Sequence, residues 1–333
     1  MFLISTMLSF VYLICAIFIN ISWINDIACY FGYFLSIYLV LFIALIPGFI
    51  YIFMLINLLW NKKEKKTNKK KEEDVTILIP MYNAKKSIKE TIESIKKQKY
   101  CGKIYINIID DGSTDGSLEL LKSMKLGPEI TIIESEHKGK AYALNEGLEH
   151  VKTEYTITVD SDTVLHPLAV RNIMHKLLNS NKKTAAVAGC IFAKNDKRSF
   201  ITKLQEWDYT LGIFGVKLYQ GNYNSTLVAQ GAFSAYKTEI LKQVGGWQNC
   251  VGEDIVLTWE LLSKGYETNF AKNAIAFTEV PETFKKLGHQ RKRWARGMIE
   301  ALKRVKIITS KKLNFKSKFL MCLNVFFPFI DLA

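Results

Sequence analysis

Charge is what the first sixty residues lack. Between Met1 and Trp60 the one residue of the Asp, Glu, Lys and Arg types is Asp26, and the rest of the chain carries all 45 bases. No soluble domain leaves sixty residues without charged surface, so an ordinary soluble protein is excluded. Paired cysteines are missing too. The six cysteines (15, 29, 101, 190, 250, 322) form no C-x-x-C, and half lie in or beside apolar segments. They read as reduced, cytosolic or buried thiols, not as a disulfide framework. The five histidines include no close pair, which argues against zinc. Neither G-x-G-x-x-G nor G-x-x-x-x-G-K-[ST] occurs, so there is no glycine-rich phosphate cradle, and a phosphorylated ligand would need a metal to neutralise it.

What is present at the front is apolar length. Phe2 to Ile24 and Tyr33 to Trp60 are each long enough, as helices, to cross a hydrocarbon core of about 30 Å. The short gap Asn25–Gly32 predicts a helical hairpin. A signal peptide ending at Ile27-Ala28-Cys29 is disfavoured, because no Lys or Arg precedes the apolar run and Asp26 fits such a site badly. The stretch Asn61–Asp74 follows with seven Lys and four acids. Lys-rich flanks stay cytoplasmic, so the domain beyond is expected in the cytosol, below a plasma or inner membrane. The last apolar run, Phe319–Ala333, is too short for a span and is expected to begin a further, truncated one.

The net charge of +14 is concentrated. Val75–Phe284 holds 25 bases and 24 acids, whereas Lys285–Lys318 holds 13 bases and one acid, Glu300. A nucleic-acid partner wants a basic face on the folded domain itself and is excluded on this pattern. An anionic lipid surface fits it, at about 1 kcal/mol per nearby Lys or Arg.

The middle alternates. Strands are expected at Val75–Ile79, Ile104–Ile109, Ile130–Ile133, Tyr155–Val159 and Ala185–Phe192. Helices are expected at Ser87–Lys97, Ser117–Met124, Ala141–His150 and Pro167–Leu178. This is an α/β pattern with a mainly parallel sheet covered on both faces. Ligands of such sheets bind beyond the carboxyl ends of the strands, where this chain places Tyr82-Asn83, Asp110-Asp111 and Asp160-x-Asp162.

Each cluster has a bland reading beside the chemical one. Asp160-Ser161-Asp162 is either a helix N-cap or a carboxylate pair for Mg²⁺ or Mn²⁺ bridging a diphosphate. Asp110-Asp111-Gly112-Ser113 is either a turn or an acceptor for a nucleobase N–H, with Tyr82 offering a ring. Glu253-Asp254 is either N-terminal helix charge or a general base. Gln290-x-x-Arg293-Trp294 with Arg296 is either interfacial, ligand-binding, or both.

Together these residues resemble the membrane-embedded family 2 glycosyltransferases with the GT-A, Rossmann-like fold, the synthases of cellulose, chitin, hyaluronan and poly-N-acetylglucosamine. The resemblance covers about Val75–Gly297. It rests on Pro80-Met81-Tyr82-Asn83-Ala84, Asp110-Asp111-Gly112-Ser113, Gly139-Lys140-Ala141 with Leu144-Asn145, Asp160-x-Asp162, Gln230-Gly231-Ala232, Glu253-Asp254 and Gln290-x-x-Arg293-Trp294. It implies that Tyr82, Asp110, Asp111 and Lys140 bind the uridine nucleotide. Asp160 faces the donor and Asp162 is the main ligand of a Mg²⁺ or Mn²⁺ ion. Asp254, beside Glu253, is the catalytic base. Gln290 and Arg293 contact the diphosphate, and Gln230, Gly231 and Trp294 line the acceptor site.

The implied reaction is inverting, processive transfer of a sugar, best N-acetylglucosamine, from a UDP-sugar to a growing β-linked polysaccharide at the membrane. Single addition to a lipid-linked acceptor is the alternative within enzymes, and a non-catalytic membrane-tethered nucleotide-binding scaffold the alternative outside them. One departure is Gly252, where this family commonly has Thr. The expected organisation is two transmembrane helices in 1–60, a cytosolic linker in 61–74 and the GT-A domain in 75–284. Basic interfacial helices follow in 285–318, and the start of a further span in 319–333.

Overall fold

In the computed structural model the described residues are 2–59, 73–305 and 310–332, with side chains of the last helix described through Asn324. Most of the expected Lys-rich linker lies outside them. They form two compact units, Met1–Glu64 with Asn314–Ala333, and Lys65–Leu313.

In the first unit, helix α1 (Phe2–Val40) and helix α2 (Ile46–Leu59) are joined by a π-helical stretch, Leu41–Leu45. Pro47 follows it, and its missing N–H leaves the helical ladder one donor short. Inside α1 the chain doubles back at Gly32 (φ 75°, ψ 158°). Phe2 then meets Phe53 at 6.0 Å between ring centres, and Phe10 meets Phe49 at 5.1 Å. The sequence reading gave eight residues to this reversal. One suffices, because a glycine takes a positive φ without a Cβ clash, and residues 25–31 continue the first arm as helix. Phe34 is 90% exposed and Ile19 75%, so these arms are not the core of a soluble fold. By length and composition the run Phe2–Leu59 can cross a membrane. Ser9, Asn20 and Asn57 in it each donate to a carbonyl four residues back, as a bilayer interior favours.

The second unit runs β1 (Val75–Met81), α3 (Ile88–Lys96), β2 (Ile104–Asp111), α4 (Ser117–Ser123), β3 (Ile130–Ser135), α5 (Lys140–Glu149), β4 (Tyr155–Val159), β5 (Thr163–Leu165), α6 (Ala169–Leu178), β6 (Thr184–Ala193), α7 (Phe200–Asp208), α8 (Val216–Gly221), β7 (Phe233–Lys237), α9 (Thr238–Gln243), α10 (Glu253–Ser263), β8 (Glu267–Thr278) and α11 (Phe284–Arg304). A final helix, α12 (Phe315–Leu332), belongs to the first unit, where Phe319 packs on Phe2 and Phe53 at 5.2 and 5.3 Å.

The sheet is ordered β3-β2-β1-β4-β7-β6-β8-β5. β3, β2, β1 and β4 run parallel, as do β6 and β8, while β7 is antiparallel to both its neighbours and β5 to β8. Every residue of β1 is buried, which is why it reads as a continuous apolar run. Ile77, Ile79 and Met81 face a core with Ile88, Ile92 and Ile173, and Leu78 points the other way, to Leu144, Trp247 and Leu257. The alternation is that of any strand.

The antiparallel β7 has a functional consequence. Its start lies at the carboxyl end of β4, so residues 230–232 come up beside Asp160, whose N–H donates to the Ala232 carbonyl at 3.3 Å. α6 begins at Ala169, with the expected first residue Pro167 in the turn before it, and α10 begins at Glu253, which puts both acids in its first turn.

Candidate active site

Asp110 and Asp111 are the last residues of β2, and Tyr82 directly follows β1. Asp111 is 3% exposed, and its carboxylate accepts from the backbone N–H groups of Lys138 (2.8 Å) and Gly139 (3.0 Å). The same carboxylate meets His137 Nδ1 at 2.9 Å. That imidazole stacks on Tyr82, with ring centres 4.1 Å apart and planes 18° from parallel. Asp110 accepts from the Ser113 N–H at 3.3 Å through one oxygen, and its other oxygen is buried without a partner among the described residues. An orphaned buried carboxylate oxygen costs free energy unless a ligand or water meets it. Asp115 closes the turn by accepting from the Lys85 N–H and the Ser117 hydroxyl, so it is a turn residue.

Lys140, first residue of α5, links three elements. Its ammonium lies 2.6 Å from Asp160 at the end of β4 and 3.4 Å from Glu253 in the first turn of α10. Burial alone would push this lysine down, but the carboxylates of Asp160 and Glu253 outweigh it and hold the group above the usual lysine range. Burial pushes the Glu253 carboxyl up, opposed by Lys140. Asp162 accepts from Thr278 Oγ1 at 3.3 Å. Burial first, then the like charge of Asp160, push its carboxyl up to about 6. Two carboxylates this near, one of them raised by the other's charge, suit a hard cation. Among the described residues no group of three or more His, Cys, Asp or Glu converges on one point. The chain therefore offers two carboxylates, and a cation there would complete its shell with ligand and water oxygens.

Asp254 Oδ2 accepts from the Gly231 N–H at 3.1 Å, and Oδ1 from the Ile255 N–H at 2.8 Å. Gly231 itself lies against the Lys140 cluster: a Cβ there would sit 2.7 Å from Lys140 Nζ and 3.5 Å from Glu253 Oε1. The Gln230 amide donates to the Gly189 carbonyl at 2.7 Å. On α11, Trp294 packs on the sheet core beside Tyr209, with the Arg291 guanidinium 4.4 Å above its ring and paired with Asp208. A sugar stacking on that ring face would have to displace Arg291. Gln290 has a buried Oε1 without a partner among the described residues, and Arg293 is exposed with no ion pair among them. Burial raises Tyr209 to about 12, and its ring meets Trp294 of α11 at 6.5 Å.

Contacts thus link Asp111 through Lys138 and Gly139 to Lys140, then to Asp160, Glu253, Gly231 and Asp254. Four participants carry no motif role in the sequence: His137, Tyr209, Arg291 and Asp208. His137 and Arg291 stand beside or within the motifs, but nothing in spacing marks the other two. A groove of about 710 Å³ near the starts of β2 and β3, lined by Tyr105, Pro128 and Ile130 among others, lies at the opposite strand ends from these acids.

The comparisons with known proteins agree with this architecture. The poly-beta-1,6-N-acetyl-D-glucosamine synthase of Staphylococcus epidermidis is 32% identical over 253 residues, 75% of this chain and 61% of that protein. The synthase of the same name from Staphylococcus aureus (strain COL) is 32% identical over 255 residues, 75% of this chain and 60% of that one. The chain thus spans about three fifths of the length of these curated relatives. Among solved structures, the mannosyltransferase PcManGT from Pyrobaculum calidifontis, in complex with GDP-Man and Mn²⁺, superposes with a TM-score of 0.67 over 89% of this chain and 84% of that one, at 20% identity. At that identity the likeness speaks for the GT-A-type fold. The family model for glycosyl transferase family 2 matches residues 76–245, a span that holds β1 to β7, the Asp110-Asp111 turn, Lys140 and the Asp160-x-Asp162 pair. This chain belongs to glycosyl transferase family 2.

Proposed function

We propose that the protein transfers N-acetylglucosamine from UDP-N-acetylglucosamine to the end of a growing β-linked polysaccharide, with inversion and processively, at a plasma or inner membrane. The observation that carries the reading is Asp254, an acid tied through Gly231 to the cluster in which Lys140 pairs with Asp160. Base and donor end of one transfer site are then a single residue apart. The choice of sugar and of polymer rests on the 32% identity to two poly-beta-1,6-N-acetyl-D-glucosamine synthases.

The acceptor hydroxyl oxygen attacks the anomeric carbon from the face opposite the nucleotide. Its proton passes to the Asp254 carboxylate, and the bond to the diphosphate breaks with its electron pair on the UDP oxygen. Lys140 and Arg293 supply positive charge where the departing diphosphate gains negative charge. Tyr82, Asp110 and Asp111 bind the uridine, Gln290 the diphosphate, and Gln230, Gly231 and Trp294 the acceptor. Asp162 with Asp160 would hold Mg²⁺ or Mn²⁺, which when bound neutralises diphosphate charge. The hairpin anchors the enzyme, the catalytic unit faces the cytosol on the side of the Lys-rich flank, and the basic α11 segment lies near anionic lipid.

Membranes carrying the full chain are incubated with a panel of radiolabelled UDP-sugars, and the products are sized. High-polymer product from UDP-N-acetylglucosamine alone is expected. Product one sugar longer than a lipid acceptor would assign single addition instead, and no transfer or hydrolysis from any UDP-sugar would leave only a binding scaffold.

A further inference from the structure

Between α8 and β7, the backbone of residues 227–231 is held largely by side chains. The Leu227 N–H donates to Gln220 Oε1 (3.1 Å), and the Leu227 carbonyl accepts from Trp259 Nε1 (3.1 Å). The Ala229 N–H donates to Thr258 Oγ1 (2.9 Å), and its carbonyl accepts from the Tyr236 hydroxyl (3.1 Å). The Gln230 carbonyl accepts from Ser234 Oγ (2.7 Å), and the Gly231 N–H ends the series on Asp254. In the middle, the Val228 carbonyl accepts from Lys217 Nζ at 2.8 Å.

Lys217 is the costly member of this set. It is 7% exposed, and one acceptor among the described residues satisfies it. A neutral donor would hold the Val228 carbonyl with a far smaller desolvation cost. A buried ammonium is worth that cost where an anion needs it. Two titratable groups act on it: Asp254 on α10 and Cys190 on β6. Burial pushes the Cys190 thiol up to about 12, so Cys190 stays neutral. Burial pushes Lys217 down to about 7, against the pull of Asp254. Thr258 closes the arrangement from the far side, since its hydroxyl also donates to the Asp254 carbonyl at 2.6 Å.

We infer that Lys217 is a positioning residue for Asp254: by holding the Val228 carbonyl it fixes residues 227–231 so that the Gly231 N–H meets the Asp254 carboxylate. The inference rests on reading Asp254 as the base. Lys217 makes none of the contacts that hold Asp111, Lys140 or Asp160, so its removal should separate turnover from donor binding.

The test uses the full chain in membranes or detergent. Lys217→Met keeps the stem and removes the ammonium, and Thr258→Val removes a second tether of the same loop. In Lys217→Met, kcat is expected to fall about tenfold or more, with donor KM and UDP affinity within about twofold of wild type. Wild-type kcat, or equal losses of kcat and UDP affinity, overturns the inference. If Lys217→Met yields no folded protein, Thr258→Val decides by the same readout and the same two outcomes. Asp254→Asn measured alongside separates the two failures. Turnover kept in that variant removes the base reading itself. Turnover lost there but kept in Lys217→Met removes only the role of Lys217.

Discussion

In the parallel half of the sheet, Asp110, Asp111 and Asp160 stand at the ends of buried strands, and the turns beside them supply their hydrogen bonds: Ser113 to Asp110, Lys138 and Gly139 to Asp111. Beyond β4 the acids are placed differently. Glu253 and Asp254 ride on the first turn of α10, and what they face is set by the 227–231 loop, which α8, α10 and β7 hold with side chains. A strand end fixes its last residues because the whole ladder fixes the strand. A loop tethered by side chains is only as well placed as its tethers. The donor end should therefore tolerate single substitutions in the scaffold around it, and the base end should not.

Lys140 bridges the two halves, and its loss is the largest effect expected of the scaffold. Lys140→Met leaves Asp160 and Glu253 facing one another without their shared cation. Turnover should fall on the order of a hundredfold, measured as sugar incorporation at saturating donor. A loss under about threefold would mean that the halves do not share this residue functionally.

Asp162 tests the donor half through pH. Its carboxyl is raised from an ordinary 3.8 to about 6, so the folded chain binds this proton more tightly than the unfolded chain does. The group is neutral to stability below the unfolded value. It detracts increasingly as pH rises through the window from about 4 to about 6, and fully above it. In the presence of chelator, Asp162→Asn should raise the melting temperature near pH 7.5, by the equivalent of about 1–3 kcal/mol, and leave it unchanged near pH 4. A variant melting lower at both pH values would contradict the placement.

Gly231→Ala sharpens the comparison at its smallest scale. The new Cβ would meet the tip of the Lys140 side chain at 2.7 Å. A flexible tip can move, so the melting temperature should hold, while donor KM rises about threefold to tenfold as Lys140 shifts from Asp160. Unchanged KM would show that Lys140 has room to spare.

The same contrast explains what could be read from the sequence. β1, β2 and β4 are largely buried and rich in Ile, Val and other strand-forming residues, so the acids at their ends are legible with them. β7 (FSAYK) and β8 (ETNFAKNAIAFT) mix polar and apolar residues without a clean period. Their antiparallel or distant partners are set by the fold, not by the neighbouring sequence. β5 is three residues long and carries no signal at all. The family resemblance marks Asp254, Gly231 and Trp294 but not what orients them. Lys217 lies 37 positions before Asp254 on another element, and Tyr209 and Asp208 meet α11 only in three dimensions.

The account turns on Asp254 as the group that takes the acceptor proton beside an intact donor site. Asp254→Asn keeps the size of the side chain and an acceptor for the Gly231 N–H, and removes the base. Measured in one membrane preparation, it should lose sugar incorporation from UDP-N-acetylglucosamine by about 10² to 10⁴-fold while binding UDP as wild type does. Near-wild-type incorporation, or loss of UDP binding together with turnover, would contradict it.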